Sequence, residues 1–202
     1  MTTLKNTAHV NTVNTPRREF LLGSAALAGG GLAIGLGATL KAGDAAAQAT
    51  DAEVNVWVVV KPDDTCVIRI VRSEMGQGTR TGLAQLVAEE LECDWTKVRT
   101  EDPTPGQSLA RKRAWGEFST GGSRGIRISQ DYVRRGGAAA RIMLMQAAAQ
   151  EWNVPASELS VANGIITHKA SSRTTSYGKV AAAASKLTAP DPKSIVLKNP
   201  KD

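Results

Sequence analysis

An α+β fold, a small mixed sheet with helices packed on one face, is what the sequence predicts. Three observations predict it. Residues 54–71 hold two β-branched runs around a proline turn. Residues 79–101 read as a helix followed by a strand. From about residue 124 a long helical pattern runs to residue 152, before a tight hairpin and a last short helix.

Val54–Val60 is the first β-branched run, and Pro62-Asp63-Asp64 is a turn in which proline pre-sets φ. Cys66–Val71 is the second run, so the pair reads as a hairpin. Gly76-Gln77-Gly78 then turns the chain into a helix. Its Leu83, Leu86, Val87 and Leu91 recur at helical spacing, with Glu89, Glu90 and Glu92 on the other faces. Val98–Glu101 is a short strand that completes a β-α-β element. Residues 103–123, rich in Pro, Gly, Ser and bases, are too long for a plain connection and end in Gly121-Gly122-Ser123. The long helix that follows carries Val133, Gly137, Ala140, Leu144 and Ala147 as its apolar stripe. Gly136-Gly137 and the alanines make that face thin, so another backbone can approach closely. Leu159–Ala162, Asn163-Gly164 and Ile165–His168 form a tight hairpin. Ser176 is the expected cap of a helix ending at Leu187. Residues 188–202 are rich in Pro and Lys, show no core pattern and read as a linker to further domains.

Residues 1–49 read as a targeting leader. Thr15-Pro16-Arg17-Arg18-Glu19-Phe20-Leu21-Leu22 precedes an apolar run from Phe20 to Leu40, and Ala47-Gln48-Ala49 is a small-x-small cleavage site. The paired arginines resemble the twin-arginine export signal, with Pro16 as a departure where Ser or Thr is usual. The alternative is an uncleaved membrane anchor, because 21 residues suffice to span. Six glycines within that run and the cleavage site favour removal. Such export moves folded proteins, so the translocase is an expected partner and the periplasm the expected location, with membrane association open.

About 150 residues remain after the leader, enough for one hydrophobic core. Two Cys and two His, with His9 in the leader, exclude a disulfide scaffold, a zinc finger and an internal iron–sulfur cluster. The net charge of +6 falls to +4 outside the leader, an ordinary solvated surface. Arg111-Lys112-Arg113 with Trp115 suggests a nucleic-acid patch. A solvated or subunit-facing edge fits one triplet on a loop better, and no nucleic-acid partner is expected. Cys66 and Cys93 have one possible pairing, but a chain folded before export keeps two free, half-buried thiols. His168 is expected at the surface without an acid or nucleophile partner, which leaves the mature chain no triad or metal cluster.

The best chemical candidate is Glu74-Met75-Gly76-Gln77-Gly78-Thr79, between a strand and a helix. Gly76 and Gly78 let a ligand approach the backbone, and the helix N-terminus favours an anion such as phosphate. Thr79 is placed to cap the helix, and the Gln77 amide suits a ring or an oxo group. The glycines at 76, 78 and 82 miss the dinucleotide fingerprint by one residue, and no ordinary Rossmann unit surrounds them. A turn that merely fits the fold remains the other explanation. Ser119-Thr120-Gly121-Gly122-Ser123-Arg124 repeats the same chemistry at the start of the long helix. Two such termini could grip two parts of a long anionic cofactor.

Glu74-Met75-Gly76-Gln77-Gly78, Thr81 to Leu91 and Asp94-Trp95 resemble the molybdenum-binding large subunit of the xanthine dehydrogenase/aldehyde oxidase family. The likeness is strongest to its isoquinoline 1-oxidoreductase beta subunit branch. It continues through Thr120-Gly121-Gly122-Ser123, Arg135 to Arg141, Trp152-Asn153-Val154-Pro155 and Ser176-Tyr177-Gly178, and ends in Leu197 to Asp202. The resemblance implies that residues 50–187 are part of a larger molybdenum-cofactor-binding domain. It implies a molybdopterin cofactor in its cytosine dinucleotide form. Gly76, Gln77, Gly78 and Thr79 would lie near the metal and phosphates, and Gly121, Gly122 and Ser123 against the pterin. The implied reaction is hydroxylation of an aromatic N-heterocycle or oxidation of an aldehyde, with water as oxygen source. The implied partners are the remaining domains of the large subunit, a small [2Fe–2S] subunit and a cytochrome c. The family's catalytic Gly-Glu-Pro segment does not occur: Gly116-Glu117 precedes Phe118. The expectation is therefore an N-terminal segment, from a shortened or split gene, that is inactive alone. The alternative is a stand-alone exported binding or assembly module that keeps the fold without catalysis.

Overall fold

The computed structural model describes residues 50–199 and 201. The leader, its arginine pair and its cleavage site lie outside the described residues. β1 (Ala52–Glu53), β2 (Val58–Val60) and β3 (Cys66–Arg69) form an antiparallel meander, with Val58 opposite Ile68 and Val60 opposite Cys66. The run expected to be one strand over Val54–Val60 is thus broken. The cause is Asn55, whose Oδ1 accepts the N–H groups of Trp57 at 2.9 Å and Val58 at 3.0 Å and folds residues 54–57 into a turn. Pro62-Asp63-Asp64 turns as expected, closed by Asp64 N–H on the Lys61 carbonyl at 3.0 Å.

α1 (Thr79–Leu91) crosses to β4 (Val98–Glu101), which pairs parallel to β3 with Cys66 opposite Val98. The β-α-β element is therefore present, and the sheet is mixed in the order β1-β2-β3-β4. Val58, Val60, Cys66 and Ile68 share one face and pack into the core with Leu83, Val87 and Leu91. The opposite face is polar, where Arg69 pairs with Glu53 at 2.6 Å and Glu101 at 3.1 Å.

The 103–123 segment, expected to be an irregular loop, contains a short helix, α2 (Pro105–Ala110). Its start is a capping box: Thr104 accepts the Gln107 N–H while the Gln107 side chain accepts the Thr104 N–H, with Pro105 at the first helical position. α3 (Ile126–Trp152) is the expected long helix, and all five stripe residues are buried. Its thin face works as expected. A Cβ on Gly137 would stand 2.5 Å from the Val87 carbonyl oxygen of α1, and one on Gly136 would stand 2.7 Å from the Trp57 ring.

β5 (Leu159–Ala162) and β6 (Ile165–His168) form the expected hairpin, with Asn163 and Gly164 at φ 50° and 75°. β7 (Arg173–Ser176), missed in the sequence, adds a third antiparallel strand. α4 (Tyr177–Ala184) ends earlier than expected. Ser176 stands at its N-cap without a side-chain capping bond, because Asp64 from the distant proline turn accepts the Gly178 N–H at 2.8 Å instead. Tyr177, fully buried, donates to the Leu91 carbonyl at 2.6 Å and ties the second sheet to the end of α1.

Two expectations are corrected by packing. Glu90 does not face solvent: it is fully buried and pairs with Arg134 of α3 at 2.6 Å. The tail is not free of the core either. Ile195 is buried against Ala138 and Ala139, and the Glu90–Arg134 pair brackets Lys198. Glu90 accepts the Lys198 N–H at 3.3 Å and Arg134 donates to its carbonyl at 2.7 Å. Short-range periodicity did not show either arrangement because both depend on segments far apart in sequence.

Candidate cofactor-binding site

Gly76 and Gly78 hold φ of 94° and 77°, and α1 starts at once behind them. The turn is closed by its own side chains. Glu74 accepts the N–H groups of Gly76 at 2.7 Å, Gly78 at 3.0 Å and Arg80 at 3.0 Å. The amides of Arg80 and Gly78 hold its carboxyl below the usual carboxylate range. Gln77 accepts the Met75 N–H at 2.6 Å and donates to the Ser73 carbonyl at 2.8 Å and to Thr79 Oγ1 at 2.9 Å. Thr79 does not cap the helix as expected. Gly78 is the N-cap, and Thr79 lies in the first turn, 3% exposed with its side chain turned inward.

The second glycine segment lies against the first. Thr120 Oγ1 accepts the Ser73 N–H at 2.9 Å, and Arg72 donates to the Ser119 carbonyl. Gly125, the N-cap of α3, sits so close to Thr79 that an added Cβ would stand 2.7 Å from its Oγ1. Gly122 and Ser123 follow at φ 65° and 58°, exposed. Two stretches more than 40 residues apart thus form one continuous surface. Gly121 stands out on it. Its φ is not left-handed, and no atom lies within 4 Å of where its Cβ would be. Neither strain nor crowding inside this chain requires glycine there.

A family model described as the molybdopterin cofactor-binding domain matches residues 6–197. The chain belongs to that family. As a molybdopterin cofactor-binding domain it is 34% identical over 177 residues to isoquinoline 1-oxidoreductase subunit beta of Brevundimonas diminuta, covering 85% of this chain and 22% of the relative. It is 33% identical over 132 residues to a membrane-bound aldehyde dehydrogenase (pyrroloquinoline-quinone) of Gluconacetobacter polyoxogenes, covering 64% and 16%. The chain thus spans about a fifth of the length of the curated relatives it matches. Among solved structures it aligns with quinoline 2-oxidoreductase of Pseudomonas putida 86 at 18% identity and TM-score 0.47, over 62% of this chain and 15% of that one. CO dehydrogenase of Oligotropha carboxidovorans aligns at 21% identity, the same TM-score and the same coverage.

The other features of this molybdopterin cofactor-binding domain fall into place around the site. Trp115 is buried, donates its indole N–H to the Val56 carbonyl at 2.6 Å, and lies under the guanidinium groups of Arg69 and Arg111. With Arg111 also paired to Glu53 at 2.5 Å, that loop is pinned to the sheet and offers no free ring for stacking a base. Cys66 and Cys93 are both free thiols, the first buried and the second partly so. The Cys66 thiol donates to the Asp64 carbonyl at 3.7 Å; the neighbouring Cys93 thiol and burial push Cys66 up, and the Cys66 side chain holds Cys93 below the usual thiol range.

His168 corrects its expectation. It is buried, with Nε2 2.9 Å from Glu158 and Nδ1 2.7 Å from Ser171 Oγ. Arg173 also donates to Ser171 Oγ at 2.7 Å, so one hydroxyl joins the arginine to the ring. The missed partners sit on the 3₁₀ turns Ala156–Glu158 and Lys169–Ser171 that flank the hairpin. The larger groove, about 760 Å³ along α1 by Gln85, Glu89, Trp95 and Lys198, contains none of the sequence-predicted site residues. Arg72 was missed. It is 3% exposed and carries a charge beside both glycine segments, and its one signal is an arginine ending an otherwise apolar Ile70-Val71 stretch. Among the described residues, no group of three or more His, Cys, Asp or Glu could hold a metal ion, and no helix is long and apolar enough to cross a membrane.

Proposed function

We propose that this chain supplies one wall of the molybdopterin site in a molybdenum hydroxylase large subunit. Gly76, Gln77, Gly78 and Thr79 form one side of that wall, and Gly121, Gly122 and Ser123 form the other. The supporting observation is the joined surface of the two glycine segments, with Gly121 open to an incoming ligand. The residues fit a planar, anionic group that approaches backbone: exposed main chain at 121–123, and the Arg72 charge close behind Ser119. The bound cofactor would supply oxidation of an aldehyde or aromatic N-heterocycle with water as the oxygen source. The chain's own residues would present backbone donors at Gly121, Gly122 and Ser123, leave room for the ligand at the glycines and hold the Gln77 amide in a fixed place. Because Glu74 already occupies the α1 N-terminus, an anion would not meet free amides there in this conformation.

The same proposal extends to the cytosine dinucleotide form of the cofactor. The partners would be the remaining domains of the large subunit, a small [2Fe–2S] subunit and a cytochrome c. The route would be twin-arginine export to the periplasm, with attachment to the membrane through the complex. Family membership supports the molybdopterin cofactor, and the names of the two curated relatives support the reaction class.

Gly121→Val is the test. The complex that the chain forms in its host is purified, and pterin and molybdenum per chain are measured. The variant should lose most of its pterin and keep its melting temperature, because its Cβ meets nothing within the chain. Pterin retained at the wild-type level, or absent from the wild type, overturns the proposal.

A further inference from the structure

We propose that Cys93, on the wall of the groove along α1, is a thiol-modification site: it takes up a small thiol from a low-molecular-weight disulfide, and Cys66 behind it resolves the adduct into a Cys66–Cys93 disulfide. The groove measures about 760 Å³, and Gln85, Glu89, Cys93, Trp95, Asn163 and Lys198 are among the residues that line it. That volume suits a peptide-sized thiol compound. Cys93 is partly exposed, whereas Cys66 is 1% exposed and belongs to the core against which Cys93 packs. One thiol thus reaches solvent through the groove and the other stands behind it, as an attacking and a resolving cysteine do.

The backbone holds both in place. Cys93 leaves α1 just after Glu92, which stands at φ 55°. Gly164 donates its N–H to the Glu92 carbonyl at 2.7 Å, and Tyr177 donates to the Leu91 carbonyl at 2.6 Å. Cys66 is fixed in β3, opposite Val60 and Val98. The acids on the groove wall carry counter-charges: Lys198 pairs with Glu89 at 3.1 Å and with Glu92 at 3.2 Å, and Arg141 also pairs with Glu92. The Cys66 side chain holds Cys93 below the usual thiol range, against burial and the Asp94 charge, which favours attack from Cys93.

The Cys93 thiolate attacks one sulfur of the small disulfide. A bond forms between them, the small molecule's own S–S bond breaks, and one thiolate leaves and takes up a proton. The Cys93 side chain does most to keep Cys66 protonated, ahead of burial, and the mixed disulfide removes the Cys93 charge. Cys66 then loses its proton and attacks the Cys93 sulfur, and the second small thiolate leaves with that proton. Two protein thiols are oxidised by two electrons, and one small disulfide is reduced to two thiols. The loop so closed, residues 66–93, contains Glu74 to Thr79 and all of α1, so oxidation tethers the first glycine segment at both ends. The inference needs neither the cofactor nor the reaction proposed above.

The test holds the full chain in oxidised glutathione and follows its intact mass, peptide map and melting temperature. The wild type should end two hydrogens lighter, with Cys66 joined to Cys93, no lasting glutathione, and full recovery in dithiothreitol. Cys66→Ala should instead accumulate one glutathione on Cys93. Because Cys66 lies in the core, Cys66→Val, which keeps an apolar side chain there, is the second variant and should do the same. Cys93→Ala should leave Cys66 reacting at least about tenfold more slowly than the wild-type pair. Two surviving thiols in the wild type, glutathione that stays on its Cys93, an unmodified Cys93 in the folded Cys66 variants, or undiminished reaction of Cys66 in folded Cys93→Ala overturns the proposal.

Discussion

Glu74 accepts the backbone N–H of Arg80 at 3.0 Å and so caps the helix that begins at Thr79. The N-terminus that reads in sequence as open to a phosphate carries its own carboxylate.

That cap sets an acid dependence. The Glu74 carboxyl is held below its ordinary range, so its stabilisation is complete above the unfolded value of about 4.3 and fades as pH falls through the lower folded value. Urea denaturation should show Glu74→Gln less stable than wild type at pH 7. The gap should close in strongly acidic solution. An equal gap at pH 7 and pH 2 would sink the assignment.

The buried Glu90–Arg134 pair holds the tail. Glu90→Ala leaves Arg134 without its partner and frees the Lys198 N–H, and should cost about 3–5 kcal/mol of stability. Limited proteolysis should then cut beyond Leu187 in the variant and not in the wild type. Replacing both partners by apolar residues of similar size should recover much of the loss.

Gly137→Ala forces α1 and α3 apart, because the new Cβ would meet the Val87 carbonyl oxygen at 2.5 Å. A loss of about 1–3 kcal/mol in denaturant unfolding is expected. Gly121→Ala, with open space around its Cβ, should unfold like the wild type.

The thiol pair predicts an order of reactivity. Iodoacetamide at mild alkaline pH should label Cys93 before Cys66. Cys66→Ala removes the neighbouring thiol that favours the Cys93 thiolate, so Cys93 labelling should slow in that variant. Faster labelling would contradict the assigned direction of the Cys93 shift.

Much of the fold was legible because it rests on local rules. The β-branched runs, the Leu83–Leu91 spacing, the thin Gly137–Ala147 stripe and the Asn163-Gly164 turn each declare an element through period or backbone conformation. The break at Asn55 was hidden inside a β-branched run, since a single side chain competing for two amides leaves the composition unchanged. α2 was hidden by its short length, though Thr104-Pro105-x-Gln107 is a readable capping box. At the site, both glycine segments were legible and Arg72 was not, because a charge ending a strand looks like any surface arginine until its burial is known.

The sequence by itself determined the elements, their order, the two loops able to approach a ligand, and the family likeness. Periodicity, turn chemistry and motif spacing carry those, and all act within a few residues. Only the tertiary structure decided that the loops meet through Ser73 and Thr120, that Glu74 fills the helix terminus, and that Arg72 is buried without a carboxylate. It also decided that Asp64 caps α4 and Glu90 anchors Lys198. Each of these satisfies a backbone group or a charge with a partner distant in sequence or across a turn. Desolvation on packing makes such partners obligatory, and no local pattern records them.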